Sequence, residues 1–286
     1  MNMESIEYPH IGKKNKLRVL RHVHFGLYLD GGDLDEILLP KKFILKNYKI
    51  GDEIEVFLYT DSEDRLVATT LEPHAFVGDF AYLKVVSTSS IGAFMDLGLE
   101  KDLLVPFREQ AEKMIEGESY LVFVYLDPVT ERIVASSRLN RFVKQKGVYI
   151  QAGQEVDLLI ANKTDLGYNA IVNNSYWGLL HFNDIFKEIR LGQKMTGFIR
   201  RKREDDKIDL ALEPIGYQKM DLLANRILEK LKNEAGWIPT TDYTNPEVIY
   251  KIYKMSKKNY KKAVGLLKKQ KLISLEDKGI RLLKSE

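Results

Sequence analysis

Cysteine is absent from this 286-residue chain. Its absence excludes disulfides, cysteine nucleophiles and cysteine-ligated zinc, and it suits a reducing compartment, so we expect a cytoplasmic protein. Only five histidines occur, and none stands in an HExxH motif or another metal-ligand spacing. No run of about 18 apolar residues is present, which argues against a transmembrane helix, and residues 1–10 lack the pattern of a signal peptide.

Motifs of common catalytic sites are missing as well. The chain has no GxxxxGK[ST] sequence, so it lacks a P-loop, and no nucleophile elbow supports a Ser-His-Asp site. The acidic clusters at 33–36 and 204–206 could bind Mg²⁺ only weakly, and solvated turns are the simpler interpretation. We therefore predict a protein that is not an enzyme, with no cofactor and no bound metal.

Charge is distributed unevenly along the chain. The net charge of +3 divides into −3 over residues 1–75, −3 over 76–141, +1 over 142–214 and +8 over 215–286. A polyanion is therefore expected to be attracted to the C-terminal end.

A repeated unit, seen in Thr164–His181, occurs three times. Gly26, Gly92 and Gly167 mark its start. At one fixed interval follow Leu38-Leu39-Pro40, Leu104-Val105-Pro106 and Leu179-Leu180-His181. A second fixed interval leads to Gly51, Gly117 and Gly192. Three copies in phase predict three similar modules in tandem.

Each repeat predicts five short strands. The first strand alternates apolar and polar residues, as at Leu17 and Val19, and the repeated glycine suits a sharp bend in a strand. Five strands in this order favour a closed or nearly closed barrel of the oligonucleotide-binding (OB) type. The motif resembles the S1 RNA-binding domain, and repeat 2 matches best, with Ile91–Met95, Leu104–Pro106, Asp127 and Arg132–Ser136.

The pattern changes after Pro214. Helical spacing predicts a helix over Lys219–Asn233, ended by Gly236. Asn245-Pro246 and Ser256 are helix-start signals for two further helices, and residues 272–283 read as a β-hairpin. Three helices followed by a hairpin are typical of a winged helix.

Three S1 modules followed by a winged helix resemble the bacterial conserved virulence factor B family over nearly the whole chain. The resemblance implies an RNA-binding regulator of gene expression, with a role in virulence. The predicted fold is mainly β with a C-terminal α+β domain: three tandem five-stranded OB-type (S1) barrels followed by a winged helix. We expect the domains at 1–75, 76–148, 149–215 and 216–286.

The S1 pattern implies five RNA-binding positions in each module, where aromatic rings stack on bases and cations contact phosphates. Repeat 1 has Phe25, Tyr28, Pro40, Asp61 and Arg65 there. Repeat 2 has Ile91, Phe94, Pro106, Asp127 and Arg132. Repeat 3 has Leu166, Asn169, His181, Lys202 and Lys207. Repeats 1 and 2 thus keep aromatics but replace the histidine with proline, whereas repeat 3 keeps His181 and lacks the aromatics.

The candidate RNA-binding residues follow from this comparison. In repeats 1 and 2 they are Phe25, Tyr28, Arg65, Phe94 and Arg132. In repeat 3 they are Tyr176, Trp177, His181, Arg200, Arg201, Lys202, Arg203 and Lys207. In the third helix of the winged helix they are Lys257, Lys258, Lys261, Lys262 and Lys268. The alternatives stay open: each aromatic could fill a core, and the basic run at 200–203 could be a solvated turn.

The sequence therefore predicts a monomeric protein that holds single-stranded RNA, either mRNA or rRNA, at its basic end with low sequence specificity. One alternative is a transcription regulator whose winged helix binds duplex DNA. Another is an adaptor that contacts the ribosome, RNA polymerase or a nuclease. No membrane partner is expected.

Overall fold

The structure, a computed structural model, describes residues 9–144, 150–185, 188–204, 207–214 and 217–283. Within these ranges the chain forms three closed five-stranded barrels and a C-terminal helical region with a three-stranded sheet, which confirms the predicted fold class. The chain divides into two compact units, Met1–Val143 and Lys144–Glu286. The first unit holds barrels 1 and 2, and the second holds barrel 3 and the winged helix. The finer domain boundaries stay predictions.

The three barrels repeat one strand plan. Barrel 1 consists of β1 (Lys14–Val23), β2 (Gly26–Asp30), β3 (Glu36–Pro40), β4 (Glu53–Thr60) and β5 (Leu66–Thr69). Barrel 2 consists of β6 (Phe80–Thr88), β7 (Gly92–Met95), β8 (Leu103–Pro106), β9 (Ser119–Leu126) and β10 (Ile133–Ser136). Barrel 3 consists of β11 (Glu155–Lys163), β12 (Gly167–Val172), β13 (Tyr176–His181), β14 (Lys194–Lys202) and β15 (Ile208–Ala211). In each, the third and fifth strands pair in parallel and the other neighbours pair antiparallel.

Alternating apolar residues fill the barrel interiors. In barrel 1, Leu27 and Leu29 point into the core while Tyr28 between them points outward, as the two-residue period of a strand requires. Barrels 2 and 3 have the same arrangement, with cores that include Met95 and Ile160. The outer face of each barrel is therefore set by every second residue of the strands.

The repeated glycine allows two strands to approach closely. A Cβ atom built at Gly26 would lie 2.2 Å from the carbonyl oxygen of Leu39, and the corresponding distance from Gly92 to the oxygen of Val105 is also 2.2 Å. At Gly167 a Cβ atom would lie 2.0 Å from the oxygen of Leu180. Only glycine fits beside these backbones without a shift. This close approach, more than a bend, explains why the residue recurs.

An irregularity recurs in the first strand of every barrel. The register shifts between Val19 and Arg21, between Val85 and Ser87, and between Ile160 and Asn162. Barrel 3 has a further shift, between Ile199 and Arg201 on β14, which leaves Arg200 as the extra residue. Because β-bulges change the direction of the side chains beside them, barrel 3 presents different residues at this edge.

Barrels 1 and 2 pack against each other within the first unit. Phe57, Tyr59 and Val67 on the outside of barrel 1 are buried, and Phe76, Leu99 and Ile133 pack against them. Polar contacts surround this patch: the Lys101 ammonium donates to the carbonyl oxygens of Thr60 at 2.9 Å and Asp61 at 2.7 Å. Part of the outer face of barrel 1 is therefore covered by barrel 2.

The C-terminal region has the order of a winged helix. It consists of α1 (Tyr217–Asn233), β16 (Trp237–Ile238), α2 (Pro246–Tyr253), α3 (Lys257–Lys269), β17 (Ile273–Glu276) and β18 (Gly279–Leu282). The sheet order is β16-β18-β17. The predicted helix starts are confirmed, because the Asn245 side chain accepts from the Glu247 amide and the Ser256 hydroxyl accepts from the Asn259 amide.

The core of the winged helix joins all three helices to the sheet. Ile227 of α1, Ile249 of α2, Leu267 of α3 and Ile280 of β18 are among its buried members. A polar group also lies inside: Thr240 Oγ1 is 2.7 Å from the Tyr253 hydroxyl and 2.9 Å from the Tyr260 hydroxyl. The satisfied hydroxyls let two tyrosines be buried without an unpaired polar atom.

Candidate nucleic-acid interface

One row of outward-facing residues crosses all five strands of each barrel at the same level; we call it the outer row. In barrel 1 it is Arg21, Tyr28, Leu38, Val67 and Tyr59. In barrel 2 it is Ser87, Phe94, Leu104, Val134 and Tyr125. In barrel 3 it is Asn162, Asn169, Leu179, Asp209 and Arg201. Barrels 1 and 2 have aromatic residues on the second and fourth strands of this row. Barrel 3 has Asn169 and Arg201 at those two positions.

Barrel 1 presents two of the predicted aromatics at its surface. The Phe25 side chain is exposed, and its ring meets the rings of His24 at 4.6 Å and Tyr28 at 6.3 Å in edge-on geometry. The Arg21 guanidinium lies 4.0 Å from the centre of the Tyr28 ring and pairs with Glu36 at 2.6 Å. One face of Tyr28 is therefore occupied by an arginine, whereas Phe25 offers open aromatic surface.

The last hairpin of barrel 1 neutralises its own arginine. Arg65 pairs with Asp61 at 2.7 Å and with Glu63 at 2.8 Å. Hydrogen bonds from Arg65 and from two backbone amides offset the effect of burial and lower the pKa of Asp61. A phosphate at this place would face two carboxylates beside the one cation.

Barrel 2 directs its outer row toward barrel 1. Phe94, Leu104 and Val134 line a cavity of about 140 Å³, and Tyr59 of barrel 1 lines the same cavity. Arg132, a predicted RNA contact, pairs with Asp64 of barrel 1. Asp127, which the S1 pattern also assigns to RNA, is buried, and its Oδ2 atom lies 3.6 Å from Arg108 Nη2. Of the predicted residues of barrel 2, Phe94 therefore faces this cavity and Arg132 is ion-paired within the first unit.

Barrel 3 carries a charged cluster at the corresponding place. Asp209, with 2% of its side chain exposed, accepts from Arg201 Nε at 2.6 Å and from Arg203 Nη2 at 2.6 Å. His181 Nε2 lies 3.2 Å from Asp209 Oδ1 and 3.2 Å from Arg203 Nη2. That nitrogen donates to the carboxylate in one tautomer and accepts from the guanidinium in the other.

The electrostatics of this cluster favour an ionised Asp209. Burial acts to raise the pKa of its carboxyl group, but hydrogen bonds from Arg203, Arg201 and His181 outweigh burial and hold that pKa well below its ordinary value. The carboxylate is therefore charged at neutral pH and holds two guanidinium groups. The Arg201 side chain is 66% exposed, so a ligand in solvent can reach it.

The bulge in β14 corrects the predicted alignment of the basic run. Arg200, Arg201 and Lys202 belong to the strand itself rather than to a turn. The hairpin closes with a hydrogen bond from the Arg203 amide to the Lys207 carbonyl, as Asp61 bonds to Arg65 and Asp127 to Arg132. Arg203 therefore occupies the position of Asp61 and Asp127, which the alignment without a bulge assigns to Lys202. The reason is that the extra residue Arg200 shifts the strand by one residue.

The remaining candidates of barrel 3 have diverse environments. Tyr176 is half-buried and packs against the barrel core, which limits its ring as a stacking surface, while Trp177 is half-buried. Arg200 pairs with Asp184. Lys202 and Lys207 are exposed. Asp205 and Asp206 of the predicted acidic turn lie outside the described residues.

The sequence comparison missed two exposed aromatics in the barrels. Phe182 directly follows His181, is 40% exposed, and has the Lys163 ammonium 5.6 Å from its ring centre. Phe107 occupies the same position after Pro106 in barrel 2 and is 52% exposed. The signal was present in the repeat alignment, since both residues come directly after the family's histidine position.

Helix α3 of the winged helix separates apolar from basic residues. Its buried face consists of Tyr260, Ala263, Val264 and Leu267, as predicted for Tyr260, Val264 and Leu267. The exposed lysines of the helix are Lys258, Lys261, Lys262, Lys268 and Lys269, whereas Lys257 is half-buried. Lys261 has one acidic neighbour, Asp242, at 3.8 Å. The result is a basic helix face suited to phosphate contact.

The described ranges contain neither a cluster of metal-ligating side chains nor a helix that could span a membrane. No group of three or more His, Cys, Asp or Glu side chains there is arranged to hold a metal ion. No helix of that part of the chain is both long enough and apolar enough to cross a membrane.

Comparison with known proteins matches these modules to families. The S1 domain model matches residues 11–71 and 77–137, and the CvfB-like winged helix domain model matches residues 225–282. The fold and these matches define a multidomain protein built from modules of nucleic-acid-binding types rather than from catalytic domains. The chain is similar to the conserved virulence factor B proteins and contains a CvfB-like winged helix domain.

Relatives match over most of their length. The uncharacterized protein YitL of Bacillus subtilis is 27% identical over 278 residues, which cover 90% of this chain and 89% of that protein. Conserved virulence factor B of Staphylococcus saprophyticus is 26% identical over 246 residues, or 82% of this chain and 81% of that protein. A crystal structure of a multidomain protein with nucleic acid binding domains from Streptococcus pneumoniae is 23% identical, with a TM-score of 0.41, and covers 96% of this chain and 98% of that one.

Proposed function

We propose that this protein is a non-catalytic, cytoplasmic RNA-binding protein that holds single-stranded RNA through barrel 3 and the winged helix. It acts as a post-transcriptional regulator of gene expression, in keeping with the virulence factor name of its relatives. The observation that carries the proposal is the concentration of exposed cations in the second unit, on β14 and on α3.

Electrostatics supports this end of the chain over the other. Residues 215–286 have a net charge of +8, whereas residues 1–75 and 76–141 have −3 each. In the first unit, the candidate cations Arg65 and Arg132 are paired with Asp61 and Asp64. RNA phosphates are attracted most where cations exceed carboxylates, so the first unit contributes less to affinity.

Low sequence specificity follows from the side chains on offer. Lysine and arginine contact phosphates and carry little base information. Exposed rings such as Phe182 stack on any base, with about 1–3 kcal/mol for each stacked base. The winged helix has one polar candidate for a base edge on α3, Asn259, and that residue is half-buried.

The test is a titration of the full chain with a fluorescently labelled uridine oligomer, followed by anisotropy. We expect Lys258→Gln/Lys262→Gln to weaken binding and to reduce the log–log salt slope by about 0.7 for each lost phosphate contact. The matched control is Lys49→Gln/Lys113→Gln, which removes two exposed lysines from the first unit. An equal loss in both variants, or an affinity independent of salt, would contradict the proposal.

A second candidate function rests on α3. This helix precedes the hairpin of a winged helix and exposes a row of lysines, the arrangement by which such domains enter the major groove of duplex DNA. Competition between the uridine oligomer and duplex DNA of equal length separates the two functions. Preferential displacement by the duplex would favour a DNA-binding transcription regulator.

The adaptor hypothesis has its own test. The acidic first unit could contact the ribosome, RNA polymerase or a nuclease, and such an association would survive RNase treatment of a pull-down. A monomer is expected in either case, and sedimentation of the free chain measures it.

A further inference from the structure

We propose that Asp209 is a positioning residue that holds Arg201, Arg203 and His181 together as one phosphate-binding cluster, so that barrel 3 recognises the sugar–phosphate backbone rather than the bases. This inference rests on the proposed RNA-binding function. It assigns a role to a residue at which the S1 pattern has no functional position.

Asp209 differs in chemical type from the residues at the same position of the other two outer rows. Barrel 1 has Val67 at this level of the row and barrel 2 has Val134, both apolar. The flanking residues Ile208 and Leu210 point into the barrel core, so Asp209 points outward like the two valines. A carboxylate has therefore replaced a valine in a row that is otherwise built for apolar contact.

The same row shows a second replacement that matches the first. Arg201 lies opposite Asp209 on β14, where barrels 1 and 2 have Tyr59 and Tyr125. In barrel 3 an outward tyrosine and an outward valine have thus become an arginine and an aspartate in contact. Barrel 3 therefore has a fixed cation at a position where barrels 1 and 2 have an aromatic side chain.

Burial explains how the pair is held. A carboxylate that is 2% exposed would be strongly destabilising without partners, but Asp209 accepts from both arginines and contacts His181. The two guanidinium groups are thereby confined beside each other, although they would otherwise repel. Two arginines thus face one aspartate at this place.

Confinement improves recognition of phosphate. A free arginine side chain loses rotamer freedom when it binds, and that loss is avoided when its orientation is fixed in advance. The planar guanidinium offers several donors in one plane, which suits the oxygens of a phosphodiester. Arg201 is the most exposed member of the cluster, with 66% of its side chain accessible to solvent. The exposed fractions of Arg203 and His181 are 32% and 26%.

Asp209 would have the opposite role if its carboxylate only neutralised part of the cationic charge. The two roles predict opposite signs for the same substitution. If Asp209 positions the arginines, its removal weakens RNA binding despite the gain in net positive charge. If it only neutralises them, its removal strengthens binding.

The experiment uses the full chain and two ligands of equal length, a labelled uridine oligomer and an abasic ribose–phosphate oligomer. Asp209→Val introduces the residue of barrels 1 and 2, and Asp209→Asn keeps the shape of the side chain without its charge. We expect each to weaken binding of both ligands by about 10-fold and to make the salt dependence shallower. Circular dichroism checks that the variants are folded.

The possible outcomes are distinct. Unchanged or tighter binding by the folded variants would overturn the positioning role and leave the proposed function intact. A loss confined to the uridine oligomer, or a loss with an unchanged salt slope, would also overturn it, because the effect would then not concern phosphate. Failure of the parent chain to bind either oligomer would overturn the proposed function, and this inference with it.

Discussion

Arg132 of barrel 2 forms its ion pair with Asp64 of barrel 1, although Asp127 lies in the same hairpin as Arg132. The S1 pattern assigns Arg132 to RNA, but its guanidinium is engaged across the contact between two barrels. In barrel 3, Arg201 forms its ion pair with Asp209 of the same barrel, and 66% of its side chain is exposed.

We therefore predict that Arg132→Gln changes RNA affinity little, whereas Arg201→Gln lowers it on the order of 10-fold, as expected for a charge-assisted hydrogen bond to phosphate. Anisotropy titrations of both variants under identical salt conditions measure the difference. A larger loss from Arg132→Gln would show that RNA reaches the first unit after all.

Gly167→Ala is predicted to destabilise the second unit by about 3 kcal/mol, because the new Cβ atom would require the β13 backbone to shift. The distance that must be relieved is 2.0 Å, from the Cβ atom to the carbonyl oxygen of Leu180. Both tryptophans of the chain, Trp177 and Trp237, lie in this unit, so urea unfolding followed by tryptophan fluorescence reports on it alone. A stability equal to that of the parent chain would mean that the strands are not held this closely.

Gly265→Ala is predicted to have the opposite effect. Gly265 lies within α3 on its exposed side, and an added Cβ atom would have no neighbour within 4 Å. Alanine favours a helix interior by about 0.8–1.0 kcal/mol over glycine, so the urea midpoint should rise without a change in slope. The same fluorescence measurement applies, and the pair of glycine variants provides internal controls of opposite sign.

The acid dependence of stability should identify Asp209. Its pKa is lower in the folded state than in the unfolded chain, so its ionised form stabilises the fold above the unfolded pKa of about 3.9 and this stabilisation is lost as pH falls below that value. The difference in unfolding free energy between the parent chain and Asp209→Asn should be greatest near neutral pH and should shrink below about pH 4. A difference that does not depend on pH would exclude this explanation.

Much of the fold could be predicted because its determinants are local. The spacing of Gly26, Gly92 and Gly167 gave the three barrels, and the helix starts at Asn245 and Ser256 gave the winged helix. Each of these features depends on the backbone conformation of a few residues. The three repeats also show the same pattern independently of one another.

The site was harder to predict from the sequence because it depends on contacts between residues that are distant along the chain. The pairing of Arg132 with Asp64 spans two repeats, and nothing near either residue signals it. The bulge that displaces Arg200 moves the hairpin position from Lys202 to Arg203, a one-residue change that periodicity does not reveal. The burial of Asp209 beneath two arginines depends on cross-strand register, which is fixed only when the barrel closes.

The covered face of barrel 1 bears on the length of RNA that one molecule can protect. Tyr59 and Val67 are buried beneath Phe76, Leu99 and Ile133, so barrels 1 and 2 do not present two complete and independent platforms. A single OB-type barrel occupies about 4–16 nucleotides. The nuclease footprint of this protein should accordingly be shorter than three times that of one barrel, and the number of nucleotides bound per chain cannot be obtained by counting its modules.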